Sequence, residues 1–157
     1  MKTLKILLYI LAGIAQVTIM PTLEINEVWP NSVLILSISL LLFGKEDEAL
    51  LSALIGGLIL DLTGSLRMGL NIVFFVSLIF ILRFLNKKFF PETNILIVFI
   101  TIFTSSVLFG FFNCLFLRQS PDLKIFSSAF YASILGLITF FIFNLRVKGE
   151  SLKVGSK

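Results

Sequence analysis

The sequence of 157 residues contains no histidine and a single cysteine, Cys114. Without histidine the chain lacks the usual general base, proton shuttle and metal ligand, and every catalytic triad built on an imidazole is excluded. One cysteine excludes an internal disulfide and a multi-cysteine metal site. We therefore expect no bound metal or other cofactor, and no enzymatic activity.

Charged residues are scarce as well. They make up 14% of the chain, against about 25% in an average soluble domain, whereas hydrophobic residues make up 57%. The mean hydropathy is +1.05. This composition predicts an integral membrane protein. The net charge of +4 is small and spread along the chain, so we expect no nucleic-acid partner.

The charged residues divide the sequence into six apolar stretches, most of them close to the roughly 20 residues with which an α-helix crosses a bilayer. These stretches do not alternate with polar residues, as the strands of a membrane barrel do. We therefore predict one all-α domain, a bundle of six transmembrane helices with short loops and a basic cytoplasmic tail at residues 146–157. The predicted spans are residues 4–23, 30–44, 47–65, 67–84, 94–117 and 125–145.

The distribution of basic residues predicts the orientation of the bundle. With a cytoplasmic N-terminus, ten Lys and Arg residues fall on the cytoplasmic side and three on the other. Cytoplasmic loops carry the excess of basic residues, so both termini are predicted to be cytoplasmic. In an alternative interpretation, Lys2, Lys5 and the apolar stretch to Ala15 form a cleavable signal peptide, and the mature chain begins at Gln16.

The third predicted helix has one side made of small residues. Their spacings of three, one, three and one place them together on a helix. In lipid, small residues let two helices approach closely enough for extensive van der Waals contact. Packing against another helix of the same chain and binding of a partner's helix are both open. The small residues are Ala49, Ser52, Ala53, Gly56 and Gly57.

Asp61 continues this side, four residues after Gly57. A carboxylate inside the bilayer must be paired, protonated or in contact with water, and Arg67 is its nearest charged candidate in the sequence. Gly64 and Gly69 predict a turn between the third and fourth helices. Three interpretations of Asp61 are open: a structural cap and ion pair that fix this hairpin, a contact that depends on a partner protein, and a proton or solute site.

Two further sets of residues are candidates for binding. The first consists of polar side chains within the predicted membrane segments, namely Gln16, Asn31 and Asn113. The second consists of basic residues near the predicted cytoplasmic surface, where anionic lipid or a partner protein would contact them. These residues are Arg83, Lys87, Lys88, Arg146 and Lys148.

The segment from Ala53 to Asn71 resembles the central signature of the rod shape-determining protein MreD family. That signature is a small-residue helix ending in Gly-Leu-x-x-Asp, with a glycine eight residues after the aspartate and a polar residue two positions further on. Gly57, Asp61, Gly69 and Asn71 occupy these positions here. Further agreements lie upstream, at Gln16, Thr18, Pro21, Pro30 and Asn31.

The sequence departs from the MreD pattern in the turn after the aspartate. Typical members have a small residue, often glycine, four positions after it and a proline six positions after it. Here Ser65 and Arg67 stand at those positions, and the glycine comes one place early, at Gly64. We therefore expect the turn to have a different shape in this chain.

The resemblance implies a non-enzymatic scaffold in the bacterial inner membrane, within the machinery that makes peptidoglycan during cell elongation and maintains rod shape. The implied partners are an MreC-like bitopic protein, a RodA glycosyltransferase, a class B penicillin-binding protein and MreB filaments, with anionic lipids around the bundle. The implied fold is similar to that of the substrate-binding subunits of energy-coupling factor transporters. The alternative function is such a subunit, binding a vitamin or small solute, and its candidate cavity residues are Gln16, Asn71, Asn113, Tyr9 and Tyr131.

Overall fold

The computed structural model is all-helical over the residues it describes, which confirms the predicted all-α class. It describes residues 2–23, 29–64, 68–89, 94–118 and 120–154, and within these ranges all side chains except those of 2–4, 23, 89 and 143–154. Arg67 and the side chains of Arg146 and Lys148 lie outside this description, so their predicted contacts stay predictions.

Six α-helices follow one another along the described chain, and its described prolines, Pro21, Pro30 and Pro121, lie outside them. Proline lacks the N–H that a helix interior needs, so these positions mark the breaks between helices. The helix α6 continues into the predicted tail, where the sequence analysis ended the helix at residue 145. The helices are α1 (Lys2–Thr18), α2 (Ser32–Leu42), α3 (Glu46–Thr63), α4 (Leu70–Phe89), α5 (Ile95–Leu117) and α6 (Lys124–Val154), and a 3₁₀ helix, Met20–Leu23, follows α1.

The short helix α2 forms the centre of the bundle. It packs against all five other helices, and nine of its eleven residues are buried, among them Leu34, Ile38 and Leu41. At 1.5 Å per residue it is only about 16 Å long, too short to cross a bilayer alone. Its apolar side chains therefore form the protein core.

The outer surface of the bundle is apolar along most of its length. Leu11 on α1, Leu58 on α3, Leu108 on α5 and Phe141 on α6 are all exposed. Soluble monomers rarely expose a continuous apolar surface of this kind, and a lipid environment would cover it. This surface indicates association with a membrane.

Length and composition alone make three helices of the described chain able to cross a membrane. They are the parts of α4, α5 and α6 that span Leu70–Lys88, Ile95–Leu117 and Lys124–Ile142. The helices α1 and α2 are short, and α3 carries Glu46, Asp47 and Glu48 in its first turn and Asp61 near its end. The prediction of six spans is therefore confirmed only in its coarser form, as a helical protein with membrane-crossing helices.

Helices that follow one another in the chain run antiparallel, which gives the bundle two distinct ends. Lys5, Glu48 and Arg83 lie at one end, which we call the basic end. Gln16 and Asp61 lie at the other, where α2 and α4 begin, and we call this the capped end. The interactions that hold the helices together differ between the two ends.

Candidate functional site

The small-residue side of α3 is buried against other helices of the same chain. Asp61 and the small residues named above are all buried, whereas Leu51, Leu54, Leu58 and Leu62 on the other side are exposed. The helical periodicity of small residues therefore identified the buried side correctly. The chain's own α2 and α4 occupy this side, which favours the packing interpretation over a groove for a partner's helix.

The contact between α3 and α2 depends on Ser52 and Gly56. The hydroxyl groups of Ser37 and Ser52 are hydrogen-bonded, with 2.6 Å between their oxygens. Gly56 lies against Val33, and an added Cβ would be 2.3 Å from a Val33 methyl carbon. These two small residues let the helices approach closely in the core.

Gly57 lies against the backbone at the start of α4. A Cβ added to Gly57 would be 2.9 Å from the Cα of Ile72 and 3.1 Å from its backbone nitrogen. Backbone atoms cannot rotate away as a flexible side chain can, so any side chain here would push α4 outward. The absence of a side chain at Gly57 therefore permits the close approach of α3 and α4.

The carboxylate of Asp61 caps the start of α4 from the neighbouring helix. It accepts hydrogen bonds from the backbone N–H of Asn71, at 2.9 Å, and from that of Ile72, at 3.1 Å. The first N–H groups of a helix have no partner within the helix, and the positive end of the helix dipole favours a negative charge there. Asp61 is only 6% exposed, so these bonds supply the partners that a buried carboxylate needs.

The turn between α3 and α4 begins and ends at glycine. The N–H of Gly64 donates to the carbonyl oxygen of Leu60 at 2.8 Å and closes α3, and a Cβ added to Gly64 would be 2.6 Å from that same oxygen. Gly69 has a φ of 97°, which side-chain-bearing residues rarely adopt. The predicted glycine turn is therefore present at both of its described ends.

A second cap joins α1 to the start of α2. The side-chain oxygen of Gln16 accepts bonds from the backbone N–H and the hydroxyl group of Ser32, and its nitrogen donates to the carbonyl of Pro30 at 3.3 Å. Asn31 completes the cap by accepting from the N–H of Leu34 at 3.1 Å. Gln16 is 6% exposed and therefore acts inside the bundle.

Gln16 and Asn31 were singled out from the sequence, and Asn31 was placed at the opening of the second helix, but their capping of α2 was not predicted. The signal was present, because an Asx or Ser residue directly before an apolar run is typical of a helix N-cap. The same signal includes Ser32, which was not singled out from the sequence. The equivalent signal at α4 was weaker, because its cap comes from Asp61, ten residues before Asn71.

At the basic end, acidic residues in the first turn of α3 form ion pairs with residues of α1 and α4. Glu46 pairs with Arg83 and, at 3.1 Å, with Lys87, both on α4. Glu48 pairs with Lys5 on α1. The Nζ atom of Lys88 lies 5.8 Å from the centre of the Phe84 ring. Arg83 and Lys87 therefore have partners within the chain as well as exposure to lipid or another protein.

The residues expected to line a solute cavity are not gathered into one pocket. The hydroxyl of Tyr9 donates to Glu48 at 3.1 Å at the basic end, whereas Gln16 belongs to the α2 cap. Asn113 on α5 donates to the carbonyl of Phe109 in its own helix at 3.0 Å. Across the described side chains, no group of three His, Cys, Asp or Glu residues is placed to hold a metal ion. The described side chains at the capped end thus join helices.

Comparison with known proteins does not add a relative to this picture. No family model matches the chain, and neither a search of curated proteins nor one of solved structures found a match. The family interpretation therefore depends on the signature residues and on their geometry.

We expect Asp61→Asn to destabilise the bundle, because an amide oxygen carries no charge and its nitrogen cannot accept the second N–H bond. The expected loss is about 1.5 to 3 kcal/mol of unfolding free energy, the value of a hydrogen bond to a charged group. Thermal unfolding in mild detergent measures it. Asp47→Asn, an exposed carboxylate in the first turn of α3, is the matched control, with an expected loss below about 1 kcal/mol. Equal losses in the two variants would contradict the cap.

We expect Gly57→Ala to destabilise the protein by about 1 to 3 kcal/mol, because the new methyl group overlaps the backbone of Ile72. Gly13→Ala is the matched control, since the atom nearest to its added methyl is the end of the Ile59 side chain, which can move. Both substitutions gain about the same helix propensity. The same unfolding assay compares the two variants. If Gly57→Ala is as stable as Gly13→Ala, the stability of the protein does not depend on the close approach of α3 and α4 at Gly57.

Proposed function

We propose that this chain is an MreD-type scaffold, a non-enzymatic protein of the bacterial inner membrane. In this proposal it has six spans, serves the machinery that makes peptidoglycan during cell elongation, and binds an MreC-like bitopic protein. RodA, a class B penicillin-binding protein and MreB are the further partners that the resemblance implies. The observation that carries the proposal is the cap that Asp61 forms on α4.

This observation supports the proposal because it gives the signature one physical purpose. Gly57 permits α4 to approach, Asp61 binds the start of α4, and Gly69 lies in the turn directly before it. Residues far apart in the signature thus act on one junction between two helices. A rigid junction of this kind suits a protein that holds others in a fixed arrangement.

The same geometry directs partner binding to the outer surface. The small-residue side of α3 is covered by α2 and α4, so a partner's helix would contact the outward apolar side chains. Leu11 on α1, Leu58 on α3 and Leu108 on α5 lie on this surface. A bitopic protein offers one apolar helix to such a surface, which is consistent with an MreC-like partner.

A six-span arrangement also accounts for α1, α2 and α3. The other helices enclose the core helix α2. Few of the polar groups at its two ends therefore contact lipid, although the helix is short. Of the acidic residues that reduce the apolar character of α3, Glu46 and Glu48 are paired at the basic end and Asp61 acts in the cap on α4. With its excess of Lys and Arg, the basic end is the cytoplasmic end in this proposal.

The topology can be tested by labelling single cysteines in a Cys114→Ser background. Met68→Cys and Leu123→Cys place exposed thiols at the capped end, and Lys45→Cys places one at the basic end. We expect a membrane-impermeant thiol reagent to label the first two in intact spheroplasts and the third only after permeabilisation. Labelling of Lys45→Cys and Met68→Cys from the same side would show that α3 does not cross the membrane.

Partner binding can be tested with a photo-crosslinking amino acid at Leu11, Leu58 and Leu108, one position at a time. The host is a rod-shaped bacterium whose own MreD has been removed, and recovery of rod shape shows that each variant is functional. We expect at least one position to crosslink a bitopic membrane protein, identified by mass spectrometry. Ile38, which is fully buried, is the control and should crosslink only within the chain. Restored shape without any crosslinked protein, or crosslinks without restored shape, would overturn the proposal.

A further inference from the structure

The helices α5 and α6 form a pair that is closely packed within itself, and we call this pair the hairpin. Each helix presents a glycine to an isoleucine of the other. A Cβ added to Gly110 on α5 would overlap the side chain of Ile125 on α6, and one added to Gly136 on α6 would overlap that of Ile102 on α5. Small residues let two helices approach closely, so these two reciprocal contacts make the hairpin one unit.

The helices α1 to α4, which we call the platform, are joined to one another by polar bonds. Asp61 on α3 bonds to the start of α4, and Gln16 on α1 bonds to the start of α2. The hydroxyl groups of Ser37 on α2 and Ser52 on α3 are bonded to each other. Hydrogen bonds weaken steeply when their angles change, so these bonds fix the platform helices relative to one another.

Aromatic rings form part of the contact between the hairpin and the platform. The ring of Phe140 on α6 stacks on that of Phe43 at the end of α2, with 4.7 Å between the ring centres. The ring of Phe109 on α5 stacks on that of Phe75 on α4, at 5.3 Å. Hydrophobic attraction is non-directional, so such contacts hold the hairpin against the platform without fixing one position on it.

Open space borders the hairpin on both of its helices. A groove of about 520 Å³ lies between α1 and α6, and Leu11, Leu36 and Leu135 are among the residues that line it. A cavity of about 180 Å³ lies between α4 and α5, where Leu82 and Ile97 face it. Protein interiors are otherwise close-packed, so these two spaces leave room for the hairpin to move.

Buried oxygens without a hydrogen-bond partner lie on the helices that meet at this boundary. Ser105 on α5 is one helical turn from Phe109, whose ring contacts α4. Ser39 comes two residues after Ser37, about 200° further round α2 and therefore away from α3. Because an unpaired buried oxygen costs free energy, a packing that gives these oxygens partners competes with the one in the structure. In the described part of the chain, these oxygens belong to Ser39, Asn86, Ser105 and Ser106.

We propose that the hairpin is a movable lid on the core helix α2, with two positions on the platform. The first is the position in the structure. In the second the hairpin has turned about the capped end, where Ser128 on α6 donates to the carbonyl of Trp29 at 3.3 Å. The turn moves α6 away from α1 and α5 towards α4, so it widens the groove beside α2 and fills the cavity.

The second position relieves the unpaired hydroxyl groups. Once the packing around them loosens, serine hydroxyls can turn to a carbonyl of their own helix, as Ser133 does to that of Ala129 at 2.7 Å. Two packings of rigid units are a common basis of conformational switching. The lid would make the groove beside α2 an opening that the protein itself controls. This proposal goes beyond the scaffold function and depends on none of its partners.

The test measures distances between pairs of spin labels by electron paramagnetic resonance, on the purified full-length protein in lipid nanodiscs and in a Cys114→Ser background. The pair across the groove is Leu11→Cys on α1 with Ile134→Cys on α6. We expect two distances for this pair, one for each position of the lid. All labelled positions, including those of the controls below, are exposed.

Two control pairs share one label each with the pair across the groove. Leu11→Cys with Leu54→Cys lies within the platform, and Leu108→Cys with Ile134→Cys lies within the hairpin. Each control should give a single distance, because both units move as rigid bodies. A single distance across the groove, as narrow as in the controls, would overturn the proposal. Two distances in all three pairs would also overturn it, because the whole bundle would then be loose.

A substitution at the boundary should shift the balance between the two positions. Ser105→Ala removes an oxygen that is unpaired in the first position, so the ratio of second to first position should fall about tenfold, the effect of one buried unpaired hydroxyl. Ser133→Ala is the matched control, because its hydroxyl is already bonded within α6, and it should leave the ratio unchanged. The same distance measurement across the groove gives both ratios. An unchanged or increased ratio in Ser105→Ala would contradict the proposed lid.

Discussion

The bond between the Asp61 carboxylate and the start of α4 constrains the rest of the bundle. Burying a carboxylate without partners costs free energy, whereas each hydrogen bond to a charged group contributes about 1.5 to 3 kcal/mol. Asp61 accepts two such bonds, which offset the cost of its burial. The bonds form only if α4 lies directly against α3, and this requires glycine at position 57.

The two ends of the bundle use different chemistry for the same purpose. At the capped end, Asp61 and Gln16 are buried and bond to backbone groups at the starts of α4 and α2. At the basic end, Glu46 and Glu48 form ion pairs with partly exposed side chains. Exposed ion pairs contribute little individually, whereas an unpaired buried backbone group is costly. The capped end therefore fixes the arrangement of the helices, and the basic end adds to it.

Much of the architecture followed from the sequence, because it depends on local patterns. The lengths of the apolar stretches located the helices, and the spacing of Ala53 and Gly57 identified the buried side of α3. The partner of Asp61 could not be read in the same way. A sequence suggests charged partners such as Arg67, whereas backbone N–H groups are present at every position and become available only where a helix begins.

The central position of α2 has a consequence for how the molecule is made. This helix is synthesised second, yet its surface is covered partly by α5 and α6, which leave the ribosome last. Until those helices arrive, the bundle lacks the neighbours that complete its interior. The first four helices therefore cannot complete their packing until α5 and α6 have been synthesised. A polypeptide interrupted after α4 would leave part of α2 uncovered, where cellular quality control could recognise it.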